Sequence, residues 1–228
     1  SKLLLASVIS SLTVPTLGQQ LEEVVVTASK RAENLQDIPQ AVTAFSSERL
    51  VELGIVETSD LMGAIPNIQV TSAYGRTQPN FSIRGISVAN EFSAATASPV
   101  GVYVDEVYQS FRASHGQQLF DLESVEVLRG PQGTLYGRNT TGGAVNVNTV
   151  KPSLEEGMSG FLNVRLGNYS YADFTGAVEA TIIPDVLGVR LSGAVSEADG
   201  YVDNTLLGTD HPQTSSTAGR LSVLWRPS

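Results

Sequence analysis

The sequence predicts an α+β unit followed by antiparallel strands of the kind that build transmembrane β-barrels, with too few of those strands to close one. Three observations carry this. Residues 36–152 mix short helical and strand patterns among many Gly, Pro and Asn residues. From 158 to 226 the texture changes to strict alternation, apolar on one face and charged or small polar on the other. In that stretch the connections are "GNYSY", "IIPDV" and then a long one from about Asp199 to Ser216, and aromatics fall near strand ends at Tyr169, Tyr171, Tyr201 and Trp225.

Composition narrows the chemistry. The 228 residues carry 14 Lys+Arg against 23 Asp+Glu, a net charge of −9. An acidic chain without a basic stripe argues against a nucleic-acid partner. There is no Cys, hence no disulfide, thiolate metal site or thiol nucleophile. The two histidines, His115 and His211, are far apart and cannot form a His-rich metal cluster. Neither a metal nor a cofactor is expected.

In chain order, "SKLLLASVISSLTVPTLGQQ" has Lys2, an apolar run from Leu3 to about Leu17 and small residues near Gly18. The run is shorter than the ~18 residues of a spanning helix and reads as a partial signal peptide over 1–20. Residues 21–35 hold a β-prone run, Val24 to Thr27, and a polar linker. "FSSERLVELG" predicts a short helix from a Ser cap to Gly54. "TSDLMGAIPNIQV" predicts another, capped by Thr58 or Ser59 and stopped by Pro66. "NFSIRGI", "VGVYVDEVY", "SVEVLRG" and "AVNVNTV" alternate and predict strands.

In the regular region Leu162, Val164 and Leu166 share a face against Asn163 and Arg165. Phe174 and Val178 oppose Asp173, Thr175 and Glu179. Leu187, Val189, Leu191 and Val195 oppose Arg190, Ser192 and Ser196, and Leu221, Val223 and Trp225 oppose Arg220, Ser222 and Arg226. A soluble sandwich would alternate as well; the connections and aromatics favour the barrel. Four strands cannot close one, and an open edge in lipid leaves backbone groups unpaired. Membrane strands here therefore imply a chain that continues beyond residue 228.

"RGPQGTLYGRNTTGGAVNVNT", from Arg129 to Thr149, has five glycines. A phosphate loop needs GxxxxGK[ST] leading into a helix. Here Gly137 is followed by Arg138-Asn139, and the following "GGAVNVNT" is β-patterned. The glycines read as turns. An enzyme finds little support: the pairs Asp105-Glu106 and Glu155-Glu156, read as strand residues, point to opposite faces, and two scattered histidines do not suggest a triad. An envelope hydrolase is the alternative of another class.

"LESVEVLRGPQGTLYGRNTTGGAVNVNT" resembles the plug-domain signature of TonB-dependent outer-membrane receptors, and "EEVVVTASKR" resembles the TonB box. "PNIQV", "FSIRGI" and "VGVYVDEVY" fit the plug, and "GNYSYADFTGAVEA" resembles the opening barrel hairpin. The resemblance implies an α+β plug domain over 36–152, followed over 153–228 by the first four or so strands of a truncated transmembrane β-barrel of about 22 strands. It implies an outer-membrane location in a Gram-negative bacterium, with the plug inside the barrel and facing the periplasm. The implied activity is energised uptake of a scarce solute, most readily an iron-siderophore, alternatively carbohydrate, haem or cobalamin. TonB, with ExbB and ExbD, is the implied partner, besides outer-membrane lipid.

Site residues follow from the resemblance. Glu22, Glu23, Val24, Val25, Val26, Thr27 and Ala28 form the TonB-partner strand, extended and able to join another protein's sheet edge. Arg84 in "IRG" and Arg129 in "LRG" lock the plug to barrel glutamates. The outward loops, at 74–76, 87–98 and 109–116, offer Tyr74, Arg76, Phe111 and Arg112 for an anionic, aromatic-bearing chelate. No residue is expected to be catalytic. The TonB box follows the signal segment almost directly, which argues against an additional N-terminal signalling domain.

Overall fold

A computed structural model describes residues 25–26, 30, 33–34, 38, 40–73, 78–90, 92–93, 96–116, 118–204, 209–211 and 214–227. The signal-like segment 1–20 lies outside them.

The described chain opens with β1 (Val25–Val26) paired antiparallel to β2 (Glu33–Asn34). β3 (Val42–Ser46) leads directly into α1 (Ser47–Glu52), where Ser46 Oγ accepts from Arg49 N and satisfies one free amide of the first turn. The second helix is shorter and differently capped than expected. A 3-10 turn, Thr58–Asp60, precedes α2 (Leu61–Ala64), and the cap is a reciprocal box of Glu57 and Asp60. Asp60 Oδ2 accepts from Glu57 N at 2.9 Å, while Thr58 points away and donates to His115 O at 2.7 Å. Pro66 follows the helix as expected.

β4 (Ile68–Thr71) pairs with β5 (Asn80–Ile83). β6 (Val100–Val104) turns into β7 (Val107–Tyr108) through Asp105 and Glu106, both at positive φ. This two-residue hairpin turn corrects the reading of that pair as strand residues. Asp105 then accepts from Thr149 N and Thr149 Oγ1 at 2.9 and 2.8 Å. β8 (Leu122–Arg129) and β9 (Gly143–Thr149) complete a five-stranded sheet in the order β3-β8-β9-β6-β7, antiparallel except for β6 with β9.

Both faces of this sheet are buried. Val125, Val127, Val145, Val147, Val100 and Val102 pack on one side with Leu50, Leu61, Phe81 and Ile83. Leu128, Ala144, Tyr103 and Tyr136 pack on the other. That second face also buries Glu126, which accepts from Asn146 and Asn148 Nδ2 at 3.3 Å.

The glycine-rich loop connects β8 to its neighbour β9. Gly130 N donates to Gly142 O at 3.0 Å, Gln132 N to Thr140 O at 2.9 Å, and Gly142 N to Pro99 O at 2.9 Å. Amides spent on the chain's own carbonyls cannot cradle a phosphate. A one-turn helix unseen in the sequence, α3 (Gly133–Tyr136), sits inside the loop and ends at Gly137 with φ +80°. Gly143 re-enters the sheet at φ +154°, where an added Cβ would lie 2.3 Å from Leu128 O. Gly143→Ala should therefore lower stability by about 1–3 kcal/mol, read as a drop in the thermal-melting midpoint.

The remaining strands form a separate open sheet. β10 (Met158–Leu166), β11 (Ala172–Ile183) and β12 (Leu187–Ala198) meander antiparallel. The long connection carries its own hairpin, β13 (Val202–Asn204) with β14 (Thr209–His211). β15 (Thr214–Trp225) then pairs with β12 along twelve registered positions. Twelve-residue strands are long enough to cross a bilayer, which takes ~9–11 tilted residues. Among the described residues, no helix is long and apolar enough to do so.

Candidate functional site

The open sheet inverts the arrangement of a soluble domain. Its apolar side chains face out: Leu162 is 71% exposed, Leu221 66% and Trp225 68%. Its polar ones face in, with Asp173, Arg190, Ser192 and Ser196 all buried. A sandwich would bury the apolar face; this one suits lipid outside and polar contents within.

The α+β unit is fastened to the polar face chiefly at one carboxylate, with Ser216 Oγ of β15 donating to Gln118 Oε1 at 3.1 Å beside it. Asp121 stands at positive φ just before β8, with its side chain 1% exposed. From β12, Arg190 Nε donates to Asp121 Oδ2 at 2.9 Å, and Arg190 Nη1 reaches Glu179 Oε2 of β11 at 2.8 Å. From β15, Arg220 Nη2 donates to Asp121 Oδ2 at 3.2 Å and to its backbone carbonyl at 2.6 Å, while its guanidinium lies 4.8 Å from the Phe120 ring centre. Burial alone would raise the Asp121 carboxyl. Hydrogen bonds from Arg190 and Ser192 and the charges of Arg190 and Arg220 outweigh it and hold the group below its ordinary value. Two carboxylates thus face two guanidiniums in a charge-balanced network.

Arg84 and Arg129 sit at the other end of β8, roughly 25 Å from Asp121 at ~3.3 Å per residue. Arg84 is exposed, and its Nη1 lies 3.5 Å from where a Cβ on Gly130 would be. Arg129 is half-buried; its N donates to Ala41 O at 3.0 Å and its buried Nε has no hydrogen-bond partner among the described residues. Both arginines therefore gather beside Gly130. Of the ligand candidates, Tyr74 and Arg76 lie outside the described residues. Phe111 is 63% exposed, whereas Arg112 is buried in the 3-10 turn Arg112–His115. His115, also buried, meets Gln109 O at 2.9 Å through Nε2. Burial and the neighbouring Arg112 hold its imidazole below the ordinary value, against the effect of that hydrogen bond.

Residues 34–144 match the model of the TonB-dependent receptor plug domain. That segment is a TonB-dependent receptor plug domain. The pesticin receptor of Yersinia pestis is 34% identical over 138 residues, 60% of this chain and 20% of that protein. An iron-regulated outer membrane virulence protein of Vibrio cholerae is 26% identical over 210 residues, 81% of this chain and 30% of that protein. In the crystal structure of the ferric yersiniabactin uptake receptor of Yersinia pestis, 28% of that chain superposes on 81% of this one with a TM-score of 0.73 and 26% identity. The receptor chain described here spans about a fifth of the length of the pesticin receptors it matches.

The α+β unit is thus the receptor's plug, and the open sheet is barrel wall. The family is one of receptors rather than enzymes. In the expected TonB-partner strand, Val25 and Val26 are extended and paired with Glu33–Asn34, while Glu22, Glu23, Val24, Thr27 and Ala28 lie outside the described residues. The Asp121 network went unseen in the sequence. The alternation put Glu179, Arg190 and Arg220 on the polar face, but their plug partner stands 69 residues before Arg190 and nothing local marks it.

Proposed function

We propose that the receptor takes up a ferric siderophore across the outer membrane by TonB-driven displacement of its plug. The observation that carries this reading is the Asp121 network, which fastens a folded domain to the polar face of a lipid-facing sheet. A pore occluded in this way needs work to open, and the extended pair Val25–Val26 suits a partner that delivers it by strand addition. TonB, energised through ExbB and ExbD, is that partner. The plug faces the periplasm, Arg84 and Arg129 form a second attachment to wall carboxylates, and Phe111 contacts the ligand. The ligand class rests on relatives whose names speak of ferric yersiniabactin, ferripyoverdine and ferric catecholate.

Cobalamin is the second reading, favoured by 27% identity to a vitamin B12 transporter of Vibrio vulnificus over 88% of this chain. Cells lacking their own iron receptors and expressing the full-length gene would be offered radiolabelled ferric yersiniabactin, ferripyoverdine, a ferric catecholate and cobalamin. Accumulation of an iron chelate that stops on deletion of TonB or on uncoupling is expected. Energised accumulation of cobalamin alone, or of nothing, would overturn the reading.

A further inference from the structure

The network at Asp121 fastens one flank of the plug to the wall and leaves a gap beside it. A cavity of about 620 Å³ opens between α1 and the inward face of β10 and β11. This volume lies within the ~300–1,000 Å³ typical of small-molecule sites. Its two sides differ in chemistry. The plug side is mixed: Leu50, Val51, Ile55 and Leu122 give apolar surface, and Ser47, Glu48, Glu52 and Asp121 line it as well. The wall side presents Phe161, Asn163, Arg165 and Thr175.

Arg165 is the group that gives the cavity a preference. Its side chain is 35% exposed and is held by one contact, Nε to Asp173 Oδ2 at 3.2 Å. Its two terminal nitrogens have no hydrogen-bond partner among the described residues and remain free to take a planar anion. Arg190, at the same cavity, is committed to Asp121 and Glu179. Glu48 and Glu52 line the α1 rim, with Glu52 paired to Arg49. Their charge weakens anion binding there, which suits a place of passage better than one of storage.

We propose that this cavity is a transit site, in which an anionic metal chelate with apolar or aromatic arms rests between plug and wall on its way inward. Arg165 takes its carboxylate, phenolate or catecholate oxygens. Asn163 supplies a hydrogen bond, and Phe161 with Leu50 and Ile55 covers its rings. The inference rests on the uptake reading above and adds a route to it.

These 228 residues contain no cysteine, so Thr175→Cys places a single thiol in this region of the cavity wall. In the full-length receptor in cells, that thiol would be capped with a methyl disulfide or with a bulky aromatic one. Surface binding in the cold and energised uptake would then be measured with radiolabelled ferric yersiniabactin, ferripyoverdine and a ferric catecholate in turn. The methyl adduct should leave uptake near normal. The bulky adduct, filling a site of this size, should cut uptake by roughly tenfold with surface binding intact. Arg165→Gln should slow uptake, and Arg165→Lys should restore part of it. Normal uptake with the thiol fully capped by the bulky group would overturn the route alone. Absence of uptake in the uncapped, unsubstituted receptor would overturn the function and the route together.

Discussion

Asp121→Ala should loosen the plug from the barrel wall more than any other single change among the described residues. Removing one partner of a buried ion pair costs about 3–5 kcal/mol, because the charges left behind stay buried. Here two guanidiniums, Arg190 and Arg220, lose a shared carboxylate, and only Arg190 keeps another in Glu179. Asp121→Asn retains shape and some hydrogen bonding and should fall at the lower end. Faster hydrogen exchange around 118–122 in the purified full-length receptor, with the wall strands unchanged, is the expected readout. Adding Arg220→Gln to Asp121→Asn should cost less than Arg220→Gln alone, since the ion pair is already gone and only the bonds to the Phe120 and Asp121 carbonyls and the Phe120 ring contact remain to be lost. The pH dependence has a fixed sign. A carboxyl held below its ordinary value contributes fully above the usual pKa of about 3.9 and loses that contribution as pH falls through the lowered value. Plug attachment should therefore be constant through neutral pH and fail only in acid, and Asp121→Asn should remove that acid step.

Val25→Pro or Val26→Pro should abolish energised uptake while leaving ligand binding in the cold unchanged. Proline has no backbone N–H, so it removes a rung from any strand pairing, whether with Glu33–Asn34 or with a partner's sheet edge. Side-chain identity should matter much less: Val25→Thr keeps a β-branched residue and should transport nearly normally. Uptake that survived either proline would remove Val25–Val26 from the energy-coupling step without touching the Asp121 result.

Local physics was legible in the sequence, and long-range pairing was not. The faces of β10, β11, β12 and β15 follow from period-two alternation, which needs no knowledge of the rest of the fold. What alternation left open was which face meets water, and the outward Leu162, Leu221 and Trp225 answer that. Ser46 was readable as a cap because its bond closes within three residues. The second cap was misplaced because Thr58 had a better acceptor in His115 O, 57 residues away. Asp105-Glu106 gave no turn signal, since Glu at positive φ is uncommon and the usual glycine is absent. Arg84 and Arg129 stood out only through family resemblance, whereas Asp121, with neither pattern nor motif to mark it, was found by its contacts.

The outward apolar face also constrains how the protein is made. A sheet with Leu162, Leu166, Leu191, Leu221 and Trp225 exposed is stable in hydrocarbon and hazardous in water, where such a surface seeks another like it. The plug, by contrast, buries a core of its own around Phe81, Ile83, Val125 and Val145. Biogenesis is therefore asymmetric: the wall strands must stay shielded, or stay unpaired, until a membrane receives them.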